Sequence, residues 1–188
     1  MNRRDALSRV ALILGGTIAG SGLFLSGCKS GYQVPGLPLS AEDIAYLDEI
    51  ADTIIPDTDT PGAKAAKVGA FMNVMVSDCY TENEQKAFLN GMKELNEAAN
   101  KKLKCDFMDA DSGQRTLLLK AIDQEARDYA KNKKAGDPPH YFALMKQLTL
   151  LGYFTSQIGC EQALRYVAVP GRFDGCVPYH KGDKAWAT

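Results

Sequence analysis

Residues 81–103 read TENEQKAFLNGMKELNEAANKKL, and this stretch decides the fold class. Thr81 and Glu84 have the spacing of a capping box, in which each side chain bonds the backbone N–H of the other residue. The apolar residues that follow recur at helical spacing: Phe88, Leu89, Met92, Leu95, Ala99 and Leu103. An apolar stripe of this period on a charged segment is typical of a helix that packs on a core. The stretch therefore predicts a long amphipathic helix.

The segments on both sides of this helix have the same character. Ser40, with Asp43 three residues later, predicts a helix start, and Pro56 predicts its end. Asp111, with Gln114 three residues later, predicts a further helix start, and that helix is expected to run to about residue 130. Other helices are predicted over residues 65–80, from 139 to about 158, and briefly over 160–167. We find no convincing alternation of strand type in the sequence. It predicts an all-α fold, a compact bundle of five to six helices with an irregular C-terminal tail from about residue 171.

The N-terminal segment, up to Cys28, has the pattern of an export signal. Arg3 and Arg4 precede a Gly-rich apolar run over residues 10–25, which is typical of a twin-arginine signal. The run ends in Leu25-Ser-Gly-Cys28, which resembles the lipobox of a bacterial lipoprotein, with Cys28 as the lipid attachment site. A transmembrane helix is the alternative, but the run is short for a bilayer and is interrupted by four glycines.

This leader sets the expected organisation and location of the chain. We predict a twin-arginine lipoprotein signal peptide over residues 1–27, a lipid-anchored tether over 28–39 and a helical domain over 40–188. The tether is rich in Gly and Pro, as flexible connecting segments are. The expected location is the periplasmic side of a bacterial membrane. Whether that is the inner or the outer membrane stays open.

Composition narrows the class of partner. The whole chain has 22 Lys and Arg against 23 Asp and Glu, and the predicted signal holds three of the arginines and one aspartate. The mature chain would therefore have a net charge of −3. Nucleic-acid binding requires a basic face, so this balance argues against it. The two histidines, His140 and His180, are too far apart in sequence to indicate a metal site.

Four cysteines remain beside Cys28, and an even number in an exported domain favours two disulfides. Of the three possible connectivities we favour Cys79–Cys105 and Cys160–Cys176, because each pair brackets a local hairpin or turn. Each bridge would stabilise the fold by about 3 kcal/mol. Free buried thiols are the alternative, and a metal cluster is disfavoured because no two cysteines have Cys-x-x-Cys spacing.

The sequence lacks the common catalytic and cofactor motifs, including dinucleotide, phosphate-loop, haem-attachment and zinc-protease patterns. Asp57 and Asp59, in the polar turn after the first helix, could bind a cation, but turn carboxylates more often cap backbone amides. His140 could be a ligand or a proton carrier, or it could cap a helix. A stand-alone hydrolase using His140 with Asp57 or Asp59 is the enzymatic alternative.

Aromatic residues are concentrated near the C-terminus, where residues 140–188 hold half of those in the chain. Phe173, Tyr179 and Trp186 lie in a segment without a helical period of its own. Aromatics on an irregular arm often anchor protein interfaces. The other interpretation is that the tail packs back on its own bundle, and the two are compatible.

Three separated segments resemble one known family, the small subunit (subunit 3) of gluconate 2-dehydrogenase-type enzymes. They are IIPDTDTPGA at residues 54–63, YFTSQIG at 153–159 and LRYVAVPG at 164–171. The resemblance spans roughly residues 40–178. Thr155 and Ser156 in the second segment are expected to bond backbone carbonyls, and Gly159 to end the helix. A partner contact for Thr155 and Ser156, or for Asp57 and Asp59 in the first segment, is a further hypothesis.

The resemblance implies a subunit without catalytic, cofactor-binding or metal-binding residues of its own. In that family a large flavoprotein of the glucose–methanol–choline oxidoreductase (GMC) type carries FAD and oxidises a sugar or sugar acid. Electrons often pass to a c-type cytochrome, which holds haem c. The small subunit acts as export escort and stabiliser, and the lipobox adds the role of membrane anchor. An envelope lipoprotein with a purely structural or binding role is the alternative.

Overall fold

The structure, a computed structural model, describes residues 39–134, 136–169, 171–173 and 175–187. In these ranges the elements are α1 (Ala41–Ile54), α2 (Val68–Cys79), α3 (Glu82–Leu103), a 3₁₀ turn (Phe107–Asp109), α4 (Ser112–Asn132), α5 (Tyr141–Phe154) and a π-helical turn (Gly159–Ala163). The described part of the chain contains no β-strand, only one isolated bridge in the tail. The predicted all-α bundle with an irregular tail is confirmed.

The predicted export signal falls outside the described residues. Arg3, Arg4, Cys28 and nearly all of the tether belong to this part of the chain, so the signal and the lipid site stay predictions. Among the helices that the structure does describe, none has both the length and the apolar character needed to cross a bilayer.

Three helices begin where the capping pattern predicts. In each, the cap side chain accepts the backbone N–H three residues later, and the side chain of that residue returns to the cap backbone. The pairs are Ser40 with Asp43, Thr81 with Glu84, and Asp111 with Gln114. Such caps satisfy N–H groups that the first helical turn leaves without a partner. Local sequence therefore determines where α1, α3 and α4 start.

Helix α2 starts at Val68, three residues after the predicted start at residue 65. Lys67 adopts a left-handed conformation (φ 55°), and its side chain makes no capping hydrogen bond in the described structure. The cap comes from α1, where Asp48 Oδ1 accepts the Gly69 N–H at 2.7 Å. The pattern missed this boundary because the capping group belongs to the preceding helix.

Helix α5 lies at the centre of the bundle and packs against each of the other four helices. Two glycines allow its close approach to its neighbours. A Cβ on Gly91 of α3 would lie 2.2 Å from the Tyr141 Cβ, and one on Gly152 would lie 2.6 Å from the Phe71 Cδ1. The residues of α5 that enter the core are Phe142, Leu144, Met145, Leu148 and Tyr153. Burial of this continuous apolar surface is the main source of stability.

A half-buried ion cluster joins α1 to the loop after it and to α4. The Glu49 carboxylate accepts hydrogen bonds from Lys64 Nζ, at 2.6 Å, and from Arg115 Nη1. The Arg115 guanidinium also donates to the carbonyl oxygens of Phe107 (2.9 Å) and Met108 (2.6 Å), which holds the 3₁₀ turn against α4. One carboxylate therefore connects three separate segments.

Acidification should weaken this cluster. Burial alone would raise the pKa of Glu49, but the hydrogen bond from Lys64 and the charge of Arg115 outweigh it and lower the pKa. A lowered folded-state pKa means that the charged form stabilises the fold. That contribution is complete above the unfolded-state pKa, about 4.3, and is lost as the pH falls through the folded-state value.

Replacing Arg115 by Ala should lower the free energy of unfolding by about 2–3 kcal/mol, because it leaves the half-buried Glu49 carboxylate with Lys64 as its one cationic partner and removes the donor of two carbonyl oxygens. Arg127→Ala is the matched control on the same helix, where Arg127 pairs with Asp123. The Arg127 side chain is 64% exposed, against 13% for Arg115. The control should change stability by less than about 0.5 kcal/mol. Urea unfolding followed by circular dichroism measures both, and equal losses would contradict the assigned role of Arg115.

Candidate interaction surface

The loop between α1 and α2 is closed on itself and fixed to the end of α5. The Ala63 N–H donates to the Ile55 carbonyl at 2.9 Å. From the other side, the hydroxyl of buried Tyr153 donates to the Pro61 carbonyl at 2.8 Å. The loop requires a glycine at position 62, because a Cβ there would lie only 2.6 Å from Asp52 Oδ1, too close for a side chain. Two of the segments quoted for the family resemblance, 54–63 and 153–159, are thus in direct contact.

Asp57 and Asp59 lie on the outer side of this loop, and both are exposed. Within the described residues no group of three or more His, Cys, Asp or Glu side chains could hold a metal ion. The structure thus gives no support to a cation site at the loop. It leaves the two carboxylates exposed where a partner could reach them.

The hydroxyls at the end of α5 have the structural role that the sequence predicts. Thr155 Oγ1 donates to the Leu151 carbonyl at 2.7 Å, and Ser156 Oγ donates to the Tyr153 carbonyl at 2.7 Å. Ser156 Oγ also accepts the Gly159 N–H at 3.0 Å. Both hydroxyls therefore form hydrogen bonds within the chain.

Helix α5 nevertheless ends at Phe154, four residues before the predicted end. The chain continues into the π-helical turn, in which the Leu164 N–H donates to the Gly159 carbonyl at 2.9 Å. Gly159 is required there, because a Cβ would lie 1.9 Å from the Tyr153 carbonyl oxygen. The predicted sixth helix over 160–167 is therefore only this short turn.

His140 caps α5 and does not meet the acidic loop. Its Nδ1 accepts the Phe142 N–H at 3.2 Å, and its ring stacks on Tyr141 with the centroids 4.4 Å apart. Burial lowers the pKa of His140. It precedes α5, whereas the loop contacts the other end of that 14-residue helix, about 20 Å along its axis. The structure does not bring His140 together with Asp57 or Asp59, as the hydrolase alternative requires.

The segment after the π-helical turn, residues 164–187, forms an arm whose two ends are joined. The Arg165 N–H donates to the Ala185 carbonyl at 2.8 Å, and the Ala187 N–H donates to the Arg165 carbonyl at 2.9 Å. The Arg165 guanidinium lies 4.5 Å from the Trp186 ring centroid, and its Nη2 lies 4.0 Å from Asp183 Oδ1. We call the contacts among Arg165, Asp183 and Trp186 the clasp.

The loop that the clasp closes carries apolar side chains into solvent. Phe173 is 97% exposed, Val169 82% and Tyr179 76%. Of the three aromatics predicted to lie at an interface, Trp186 packs on Arg165 within the chain and stays half exposed. Phe173 and Tyr179 are left to solvent. Trp186 therefore packs within the arm, and an interface role for Phe173 and Tyr179 stays a prediction.

The four cysteines of the domain are free thiols in the structure. Cys79 ends α2 and is exposed, and Cys176 is exposed in the arm. Cys105 is half-buried, and Cys160 Sγ lies in the π-helical turn, 3.2 Å from the Phe154 carbonyl oxygen. The disulfides predicted for Cys79–Cys105 and Cys160–Cys176 are therefore not formed in the described structure. Two cysteines that flank a hairpin or turn in the sequence need not have their sulfur atoms at bonding distance in the fold.

Comparison with known proteins adds the family. The family model described as gluconate 2-dehydrogenase subunit 3 matches residues 41–171. This chain belongs to the gluconate 2-dehydrogenase subunit 3 family. Searches of the curated proteins and of the solved structures found no significant match.

The gluconate 2-dehydrogenase subunit 3 match includes the whole helical bundle, the α1–α2 loop and Arg165, but it ends at Gly171. Phe173, Tyr179 and Trp186 lie beyond it. The family assignment therefore covers the helical bundle and the arm as far as Gly171, and it does not extend to the exposed Phe173 and Tyr179.

The contact between α5 and the loop can be tested with a matched pair of tyrosines. Tyr153→Phe should lower the free energy of unfolding by about 1–2 kcal/mol, because the Pro61 carbonyl loses a buried donor. Tyr129→Phe is the control, since the Tyr129 hydroxyl also donates to a proline carbonyl, that of Pro138 at 3.1 Å, but is exposed. The control should cost less than about 0.5 kcal/mol. Chemical denaturation measures both, and a neutral Tyr153→Phe would show that the loop does not depend on this bond.

Proposed function

We propose that this chain is the non-catalytic small subunit of a periplasmic, membrane-bound, flavin-dependent dehydrogenase of the gluconate 2-dehydrogenase type. The observation that carries the proposal is the family match over residues 41–171, which spans all five α-helices. The substrate class would be sugars or sugar acids. His140 and the acidic loop lie at opposite ends of α5, which argues against the hydrolase alternative that would combine them.

The redox chemistry is proposed to lie in the partners. A large GMC-type flavoprotein would hold FAD and oxidise the substrate, and a c-type cytochrome with haem c would accept the electrons. This division follows from the resemblance, and it assigns to the present chain only binding and positioning. Purifying the full chain from its native host in mild detergent tests it, because a bound flavoprotein gives a flavin spectrum and dye-reducing activity. A colourless single chain would refute a stable complex.

The escort role follows from the paired arginines of the leader. Flavin is loaded in the cytoplasm, so a flavoprotein has to cross the membrane folded, and a twin-arginine signal on one subunit can serve both. Arg3 and Arg4 would thereby export a partner that has no signal of its own.

Replacing Arg3 and Arg4 by lysines should retain the partner's dehydrogenase activity in the cytoplasm. The charge of the n-region is unchanged by this substitution, so a general export signal would tolerate it. Activity is assayed in periplasmic and cytoplasmic fractions, with Arg9→Lys as the matched control in the same leader. Activity that still reaches the periplasm at the wild-type level would refute the escort role.

The anchor role follows from the lipobox. A lipid-modified Cys28 with several acyl chains would hold the complex firmly, since each buried CH₂ contributes about 0.8 kcal/mol. The tether over residues 28–39 would then separate the bilayer from the helical domain.

Replacing Cys28 by Ala should move the dehydrogenase activity from the membrane pellet to the soluble periplasmic fraction. The matched control is Cys79→Ala, which removes an exposed cysteine at the end of α2 and should leave the activity in the pellet. The measurement is activity after ultracentrifugation, with immunoblotting of this chain. Activity that stays with the membrane in Cys28→Ala would assign the anchor to another subunit.

A further inference from the structure

The arm displays its apolar residues in a loop whose ends are already fixed. We propose that this clasped loop is the element by which the chain docks on the large subunit, and that it inserts Phe173 and Tyr179 into an apolar surface bordered by carboxylates. The inference rests on the proposed function, because it takes the large subunit of the same complex as the partner.

The first argument is exposure. Single apolar residues on a protein surface are ordinary, but several large ones in one short segment mark a binding surface. Between the ends of the clasp the described exposed residues include Val169, Phe173 and Tyr179, and the core cluster of the bundle includes none of these three. A nearly fully exposed Phe173 gains nothing from the fold of this chain. Its burial against a partner would release apolar surface from water.

The second argument is preorganisation. A loop that is ordered only on binding loses conformational entropy at that step, which weakens the complex. Here two backbone hydrogen bonds, at 2.8 and 2.9 Å, and the stacking of Arg165 on Trp186 fix the ends of the loop in the free chain. The closure entropy of the loop is therefore lost during folding and not during association.

The third argument is charge. Residues 165–187 have four basic and two acidic residues, for a net charge of +2, whereas the mature chain as a whole has −3. The remainder therefore has −5. A basic arm on an acidic body favours a partner surface with carboxylates around its apolar centre. Lys181 is exposed two positions after Tyr179, where it could meet such a carboxylate.

These observations divide the roles of the three tail aromatics. Phe173 and Tyr179 are the docking residues. Trp186 acts as a positioning residue, because its ring is occupied by the Arg165 guanidinium. It is also the only tryptophan in the chain, so its fluorescence reports directly on the clasp.

The test compares variants of the full chain in the complex purified from the native host. The double variant Phe173→Ser with Tyr179→Ser should raise the dissociation rate constant of the complex at least about 30-fold, as expected for two interface anchors. The matched control is Leu117→Ser on α4, where the leucine is 69% exposed. It should leave the rate within about twofold of wild type. Dilution of the complex followed by size-exclusion chromatography gives the rate.

The clasp is tested separately. Trp186→Ala should raise the dissociation rate about tenfold and make the arm more sensitive to limited proteolysis, while Trp186→Phe, which keeps an aromatic face for Arg165, should restore most of both. Circular dichroism and thermal unfolding check that the helical bundle is intact in each variant, as its core lies elsewhere.

Three outcomes would overturn the inference. One is a docking variant that dissociates at the wild-type rate. Another is concentration-dependent dimerisation of the isolated chain that the double variant abolishes, which would make a second copy the occupant. The last is binding of the Cys28→Ala variant to vesicles of anionic phospholipid with a blue shift of Trp186 fluorescence, which would make the membrane the occupant. If the wild-type chain itself recovers no flavoprotein, the proposed function fails first, and the two failures are distinguishable.

Discussion

The Glu49 carboxylate is the point on which the arrangement of the bundle depends. It joins Lys64, in the turn before α2, to Arg115 of α4, and Arg115 in turn holds the 3₁₀ turn through two carbonyl oxygens. Apolar burial provides most of the stability, but it is not directional. A half-buried carboxylate with two cationic partners is directional, and loss of either partner would leave a charge with incomplete solvation. The cluster therefore fixes how α1, the following loop and α4 meet.

Much of the fold is predictable from the sequence because its signals are local. The capping boxes at Ser40, Thr81 and Asp111 each lie within four residues, and they predicted three helix starts correctly. The start of α2 was missed because its cap is Asp48, a residue of another helix. The end of α5 was missed because the hydroxyl of Ser156 and the lack of a side chain at Gly159 allow a π-helical turn where the apolar pattern continues. Tertiary contacts decided both cases.

In the candidate interaction surface, too, contacts between neighbours in the sequence were predictable and contacts between distant residues were not. The sequence predicted that Thr155 and Ser156 would bond backbone carbonyls, since such bonds reach only three or four residues back. It could not predict the bond from Tyr153 to Pro61, which joins residues 92 positions apart, or the stacking of Arg165 on Trp186. The disulfide prediction paired cysteines that flank a predicted hairpin or turn in the sequence, but the four cysteines are free thiols in the structure. Residue type indicated which side chains would form specific contacts, and only the fold showed which of these side chains contact one another.

The position of the arm follows from a continuous series of short contacts. Tyr153 is held by the α1–α2 loop at Pro61, Ser156 bonds the Tyr153 carbonyl, and Gly159 bonds Ser156. The π-helical turn then leads directly to Arg165, where the clasp begins. These hydrogen bonds, with that from the Leu164 N–H to the Gly159 carbonyl, connect the base of the arm to α5. Such a fixed base favours the proposed docking role, since a fixed loop retains more of its contact energy as affinity than one that is ordered on association.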